Sequence, residues 1–347
     1  MQLDSSSNAQ RYARCQTGLV SLQKSCFFFA ADSNYFPYAC LAALRVTNVS
    51  APIDGFILQM GVGRDDLEIA RKLLGDRISF IDVSTYLSDF AAKNGRLGLS
   101  AYIRLFTDEL PEFASYDRIV YVDCDILFNR SITDLADTGL KAPLLAAHDI
   151  PSYFDMTYRR RLPLRPGAPK FNSGVLVFNM PLVRSGGFLA SSRRFAVDHP
   201  ELCQAFDQDA LNVAFEGQWQ TMHPTWNVMT NFSGQIPFRQ ACARHFSWGK
   251  PWSDKPLGVE PEALAIYRGL AKGTPWSPRF DRHACHVGNF IKRFGRTFDP
   301  LIGFLTKDEK LKRRSRFDAI KTNDLFASHA DQELLAVQYP EKAAGYT

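Results

Sequence analysis

The chain lacks a Cys-x-x-Cys pair, a glycine-rich turn after its first apolar segment, and any apolar run long enough to span a bilayer. Its seven cysteines, at 15, 26, 40, 124, 203, 242 and 285, are scattered and read as free thiols of a reducing compartment. The most apolar early segment, Cys26-Phe27-Phe28-Phe29-Ala30-Ala31, is short and is followed at once by Asp32, unlike a signal-peptide core, so a cytoplasmic location is expected. Where a dinucleotide-binding turn would need glycines the chain has Ala30-Ala31-Asp32-Ser33-Asn34-Tyr35. Asp32 and Asn34 offer instead hydrogen-bonding groups of both kinds to a nucleobase or ribose. No internal repeat or low-complexity tract is visible. The net charge of +5 favours anionic partners, but Lys and Arg are spread along the chain except at 307–316, which leaves no nucleic-acid footprint. Phosphates or a membrane surface suit the same charge.

What is present is ample core material: 347 residues, 46% hydrophobic and 13% aromatic. Residues 1–22 are polar and Ser-rich at first and read as a poorly ordered lead-in. A globular unit is expected over 23–300, and a helical extension, basic at its start, over 301–347. Strands are predicted at 26–31, 56–60 and 78–82, with a helix from Pro37 to about Val46 and helical spacing of Leu67, Ala70 and Leu74 between them. This alternation predicts an α/β fold with a mostly parallel sheet and covering helices. A helix around 101–106, strands at 144–147 and 175–178, and a helix from near Asp207 follow. The Arg- and Pro-rich stretch 153–169 reads as a loop able to order around an anionic ligand.

The sharpest feature is the run Arg118-Ile119-Val120-Tyr121-Val122-Asp123-Cys124-Asp125, a buried-strand pattern ending in two carboxylates one residue apart. Ligands sit at the carboxyl ends of strands in open α/β sheets, and hard oxygen ligands suit Mg²⁺ or Mn²⁺. A divalent metal and a phosphate-bearing substrate are therefore expected. The plain alternative is a strand end that starts a turn.

Four islands, Phe29–Tyr35, Val120–Asp125, Phe171-Asn172-Ser173-Gly174-Val175-Leu176 and Phe206-Asp207-Gln208-Asp209-Ala210-Leu211-Asn212, come in an order and at separations that resemble family 8 glycosyltransferases. These are retaining enzymes that include glycogenin and bacterial lipopolysaccharide galactosyl- and glucosyltransferases. The resemblance covers about residues 26–295. It implies a GT-A fold, a Rossmann-like mixed sheet flanked by helices, with a UDP-sugar donor and a divalent metal, usually Mn²⁺. Carried over by position, Asp32 and Asn34 hold the nucleobase and ribose, Arg104 lies near the donor sugar and phosphate, and Asp123 and Asp125 bind the metal. Asn172, Asp207 and Gln208 line the donor sugar, with Gln208 next to the anomeric carbon, and Asp149 corresponds to an acidic position in the sugar and acceptor region. Asp207 also suits a helix N-cap.

The family closes its metal site with His-x-x-Gly-x-x-Lys-Pro-Trp. The stretch chosen for it is His286-Val287-Gly288-Asn289-Phe290-Ile291-Lys292-Arg293-Phe294, which keeps the His–Lys spacing, moves the Gly one place earlier and replaces Pro-Trp. His286 is thus expected as the third metal ligand, ahead of His283, with Gly288 and Lys292 at the diphosphate. The acceptor is expected to be a glycan, a lipid-linked glycan or a protein. The basic stretch 307–316 after apolar Leu301–Leu305 suits peripheral docking on an anionic membrane, a solvated helix end being the alternative. Two other functions compete: a nucleotide-sugar-binding family member without turnover, and a phosphohydrolase of the haloacid dehalogenase type with Asp123 as nucleophile.

Overall fold

The computed structural model describes residues 23–87, 90, 99–149, 162–230, 236–247, 249–253 and 259–281. Most of the 153–169 loop, His283, His286, Gly288, Lys292 and the 301–316 stretch lie outside them. The main sheet has seven strands in the order β3-β2-β1-β4-β7-β6-β8: β1 Ser25–Asp32, β2 Asp54–Met60, β3 Ile78–Asp82, β4 Arg118–Val122, β6 Leu144–His148, β7 Phe171–Asn179 and β8 Trp219–Thr221. The first half is parallel, with β1 between β2 and β4. β7 runs antiparallel to both β4 and β6, and β6 runs parallel to β8, so the sheet is mixed.

The apolar runs of the sequence have no polar alternation because both faces of the sheet are covered. Along β1, Phe27, Phe29 and Ala31 enter one core, while Cys26, Phe28 and Ala30 enter the other. β4 divides in the same way, Val120 and Val122 against Ile119 and Tyr121, as does β7, Val175 and Val177 against Leu176 and Phe178. The first core is closed by the helices Phe36–Val49 and Pro261–Ala271, the second by Phe188–Asp198 and Asp207–Ala214.

A second, three-stranded sheet joins β5 Ile126–Phe128, β10 Ala243–His245 and β9 Val228–Met229. Asp123 and Asp125 therefore sit in the turn between β4 of the seven-stranded sheet and β5 of the three-stranded one. The stretch 101–106 is only partly α-helical, turning from Leu99–Tyr102 into a 3₁₀ segment, Ile103–Phe106. Among the described residues no helix is long and apolar enough to cross a membrane. Cys26, Cys40, Cys124, Cys203 and Cys242 are free and buried.

Candidate active site

The site lies at the carboxyl ends of β1 and β4. Asp32 ends β1 and folds back on the chain, its Oδ1 accepting hydrogen bonds from the backbone N–H groups of Asn34 and Tyr35, each 3.0 Å. Ser33, Asn34 and Tyr35 are left exposed. The Tyr35 ring lies edge-on to Trp252, which stacks on Tyr38 with ring centroids 3.7 Å apart.

Beyond β4, the backbone N–H of Asp123 donates to the carbonyl of Gly174 (2.8 Å), and the N–H of Phe246 donates to that of Asp125 (2.9 Å). The second bond extends the β5–β10 ladder, in which His245 pairs with Ile126. His245 is thereby delivered to the aspartates. One ligand atom each from Asp123, Asp125 and His245 lies within 4.8 Å of the other two. His245 Nε2 is 3.4 Å from Asp125 Oδ1 and 3.9 Å from Asp123 Oδ2.

The other carboxylate oxygens are already held. Asp123 Oδ1 accepts from the Tyr121 hydroxyl (2.5 Å) and Arg104 Nη2 (3.1 Å), and Asp125 Oδ2 accepts from Lys250 Nζ. Burial alone would raise Asp125, but His245 and Lys250 outweigh it and hold the carboxyl well below the usual carboxylate range. Two hard oxygens and one imidazole nitrogen this close together form a donor set that a divalent cation can use.

Arg104, only 4% exposed, ties this cluster to its neighbours. Its guanidinium lies over the Tyr121 ring at 3.9 Å, donates through Nη1 to the Ser173 carbonyl (2.8 Å), and brings Nε to 3.0 Å from Asp207 Oδ2. Burial nevertheless pushes Asp207 up to about 7, with Arg104 opposing the rise. Asp207 is the first residue of its helix and not the N-cap that the sequence suggests. The N-cap is Phe206, which is exposed and has a positive φ of 53°.

Next to Asp207, the Gln208 amide is fixed at both ends. Its Oε1 accepts from the Ser173 N–H (3.0 Å), Asn172 Nδ2 (3.2 Å) and Ser173 Oγ (3.3 Å), while Nε2 donates to Asp149 Oδ2 (3.2 Å). Asn172 Oδ1 accepts from the Gly174 N–H (3.0 Å) and from Asn227 Nδ2 (2.9 Å). The sheet and the helix N-terminus thus bring the carboxylate cluster and this amide cluster together.

The model of glycosyl transferase family 8 matches residues 26–255 of this sequence. The chain belongs to that family. It is 26% identical over 208 residues to General stress protein A of Bacillus subtilis, covering 58% of this chain and 72% of that one. It is 24% identical over 225 residues to Glycosyltransferase GlyA of Streptococcus pneumoniae, of which it covers 29%. Among solved structures, a galactosyltransferase LgtC in complex with donor and acceptor sugar analogues aligns with a TM-score of 0.64 and 26% identity, over 73% of this chain and 99% of that one. The fold is accordingly GT-A, and this family 8 chain is a glycosyltransferase.

Of the residues singled out from the sequence, Asp123 and Asp125 come together, as do Asn172, Gln208 and Asp149, with Arg104 and Asp207 between the two groups. Asp32 and Asn34 stand at the end of β1. His286, Gly288 and Lys292 fall outside the described residues, and the described residues complete the cluster with His245 and Lys250 instead. Both were legible. His245 is followed by Gly249-Lys250-Pro251-Trp252, which keeps the Lys-Pro-Trp ending of the family pattern with one residue fewer between His and Lys. Nothing in the local sequence of Asn227 marks it.

Proposed function

We propose that the chain moves a hexosyl group from a nucleotide-diphosphate sugar, UDP-linked, to a glycan, lipid-linked or protein acceptor with retention of the anomeric configuration. The observation that carries this reading is the convergence of the Asp123, Asp125, His245 and Lys250 cluster with the Gln208, Asn172 and Asp149 cluster at one end of the sheet. Asp32, Asn34 and the exposed Tyr35 ring, within one turn of each other, suit a nucleobase and ribose. Asp123 Oδ2, Asp125 Oδ1 and His245 Nε2 would hold a divalent metal, Mn²⁺ or Mg²⁺. Such an ion neutralises the charge that builds on a departing diphosphate. Lys250, in place of the expected Lys292, adds a cation at the same carboxylates.

Gln208 Oε1 accepts three hydrogen bonds, which withdraws its lone pairs from nucleophilic attack. This supports a front-face displacement. The acceptor hydroxyl bonds to the anomeric carbon as the bond to the diphosphate breaks, and its proton passes to a phosphate oxygen of the leaving group. Gln208 and Asp149 steady the oxocarbenium-like centre by dipole and charge. The phosphohydrolase alternative is set aside because the chain belongs to a glycosyltransferase family.

Hydrolysis of a panel of nucleotide sugars, with Mn²⁺ and with EDTA, tests the reading. One or a few UDP-sugars are expected to turn over, EDTA to stop turnover, and Asp125→Asn to remove the bulk of it. Full turnover in excess EDTA overturns metal assistance. Calorimetric binding of UDP without turnover of any donor tried with a panel of acceptors would instead support a binding module.

A further inference from the structure

We propose that Asn227 is a positioning residue, one link in a directed hydrogen-bond chain that sets both the metal-facing nitrogen of His245 and the sugar-facing amide of Gln208. The proposal rests on the functional reading above for the roles of those two groups, and on geometry alone for the chain itself. The links run from His245 Nδ1 to Asn227 Oδ1 (2.9 Å), from Asn227 Nδ2 to Asn172 Oδ1 (2.9 Å), from Asn172 Nδ2 to Gln208 Oε1 (3.2 Å), and from Gln208 Nε2 to Asp149 Oδ2 (3.2 Å). Asn227 is 1% exposed and His245 5%, so water does not substitute at that end.

The direction of the chain follows from groups that can only donate. The backbone N–H of Gly174 points at Asn172 Oδ1 (3.0 Å), so that atom must be the oxygen and the NH₂ must face Gln208. The backbone N–H of Ser173 points at Gln208 Oε1 (3.0 Å), which fixes that amide in the same way. With Asn172 presenting oxygen, Asn227 must present its NH₂ there and its oxygen to His245. His245 Nδ1 must then carry a proton, which leaves Nε2, beside Asp123 and Asp125, as the nitrogen that can give up its proton to a cation. Imidazole ligands are held in one tautomer by such an outer partner, and loss of that partner weakens metal binding. Two strand N–H groups thus dictate which histidine nitrogen can bind a cation.

The two ends of Asn227 can be separated by substitution. Asn227→Asp keeps an oxygen against His245 Nδ1 but sets a second oxygen against Asn172 Oδ1, so repulsion disrupts the Gln208 side alone. Asn227→Ala removes both links. A residue that merely fills space would not divide the effects in this way.

The test uses the full-length chain. Long-range ¹H–¹⁵N correlation spectra, with His245 assigned from a His245→Gln variant, are expected to show Nδ1 protonated without added metal. Mn²⁺ titration followed by electron paramagnetic resonance is expected to give an affinity within about threefold of wild type for Asn227→Asp and roughly 10–100-fold weaker for Asn227→Ala. Donor turnover should fall at least tenfold in both. An unprotonated Nδ1 in the wild-type chain, or equal Mn²⁺ affinities of the two variants, overturns the proposal. The Nδ1 measurement needs no activity, so it stands even if the enzyme reading fails.

Discussion

Gly174→Ala places one methyl group against the ring of His245, and its effect can be worked from distances. A Cβ built on Gly174 would lie 2.6 Å from His245 Cε1, 2.7 Å from Nδ1 and 3.0 Å from Asn172 Oδ1, where ordinary contact begins at 3.4 Å. Gly174 does not have a positive φ, so the backbone accepts alanine and space alone is at issue. The imidazole must retreat by about 0.8 Å, the difference between 3.4 and 2.6 Å. His245 is buried and hydrogen-bonded to Asn227, so the retreat is expected to move Nε2 relative to Asp125 and to stretch the Asn227 contact. Overpacking of this kind costs about 1–3 kcal/mol of stability. Disturbed ligand geometry should weaken Mn²⁺ roughly 10–100-fold. Thermal unfolding and Mn²⁺ titration of the purified variant measure the two effects. Unchanged Mn²⁺ affinity would refute the claim that His245 against Gly174 sets the cation site, whatever the melting temperature does.

Other outcomes follow from the same geometry. Gln208→Ala is expected to lower turnover of the donor by more than it raises donor KM, because the amide contributes at the transition state, and NMR of the product should show the donor's α configuration kept; a β-linked product would refute the front-face route. Asp207, raised to about 7 by burial, binds its proton more tightly in the folded state than the ordinary carboxylate near 3.9 does unfolded. Its contribution to stability therefore falls as pH rises from about 4 to about 7. Asp207→Asn should flatten that slope in urea denaturation, and an unchanged slope would show that Asp207 stays ionised against Arg104.

Strands β1, β4, β6 and β7 were legible because they are buried on both faces and so read as apolar runs, whereas β8, Trp219–Thr221, is only half-buried and carries no such run. The first five elements follow the sequence closely, and the Asp123–Asp125 pair announced itself as charge at the end of such a run. Strand direction was less legible. Nothing in Phe171–Asn179 says that it runs antiparallel to β4, since direction depends on the connection and not on the strand itself. The His–Lys spacing of the family pattern points to 286–294, which lies outside the described residues, whereas its Lys-Pro-Trp ending points to Lys250-Pro251-Trp252 and so to His245, which the described residues place at the aspartates. His245 reaches the aspartates through a three-residue strand paired with β5, a contact between residues more than a hundred positions apart that no local pattern records. Asn227 was silent for the same reason, since a buried asparagine in a 3₁₀ turn resembles any other until its partners are seen.

The central claim is that the Asp123, Asp125 and His245 cluster, with the strand ends around it, is the site that takes metal and nucleotide diphosphate together. Isothermal titration of UDP in the presence of Mn²⁺ against the wild-type chain, His245→Ala and His286→Ala tests it most directly. Mn²⁺-dependent binding is expected, lost in His245→Ala and retained in His286→Ala. Retained binding in His245→Ala with loss in His286→Ala would contradict it.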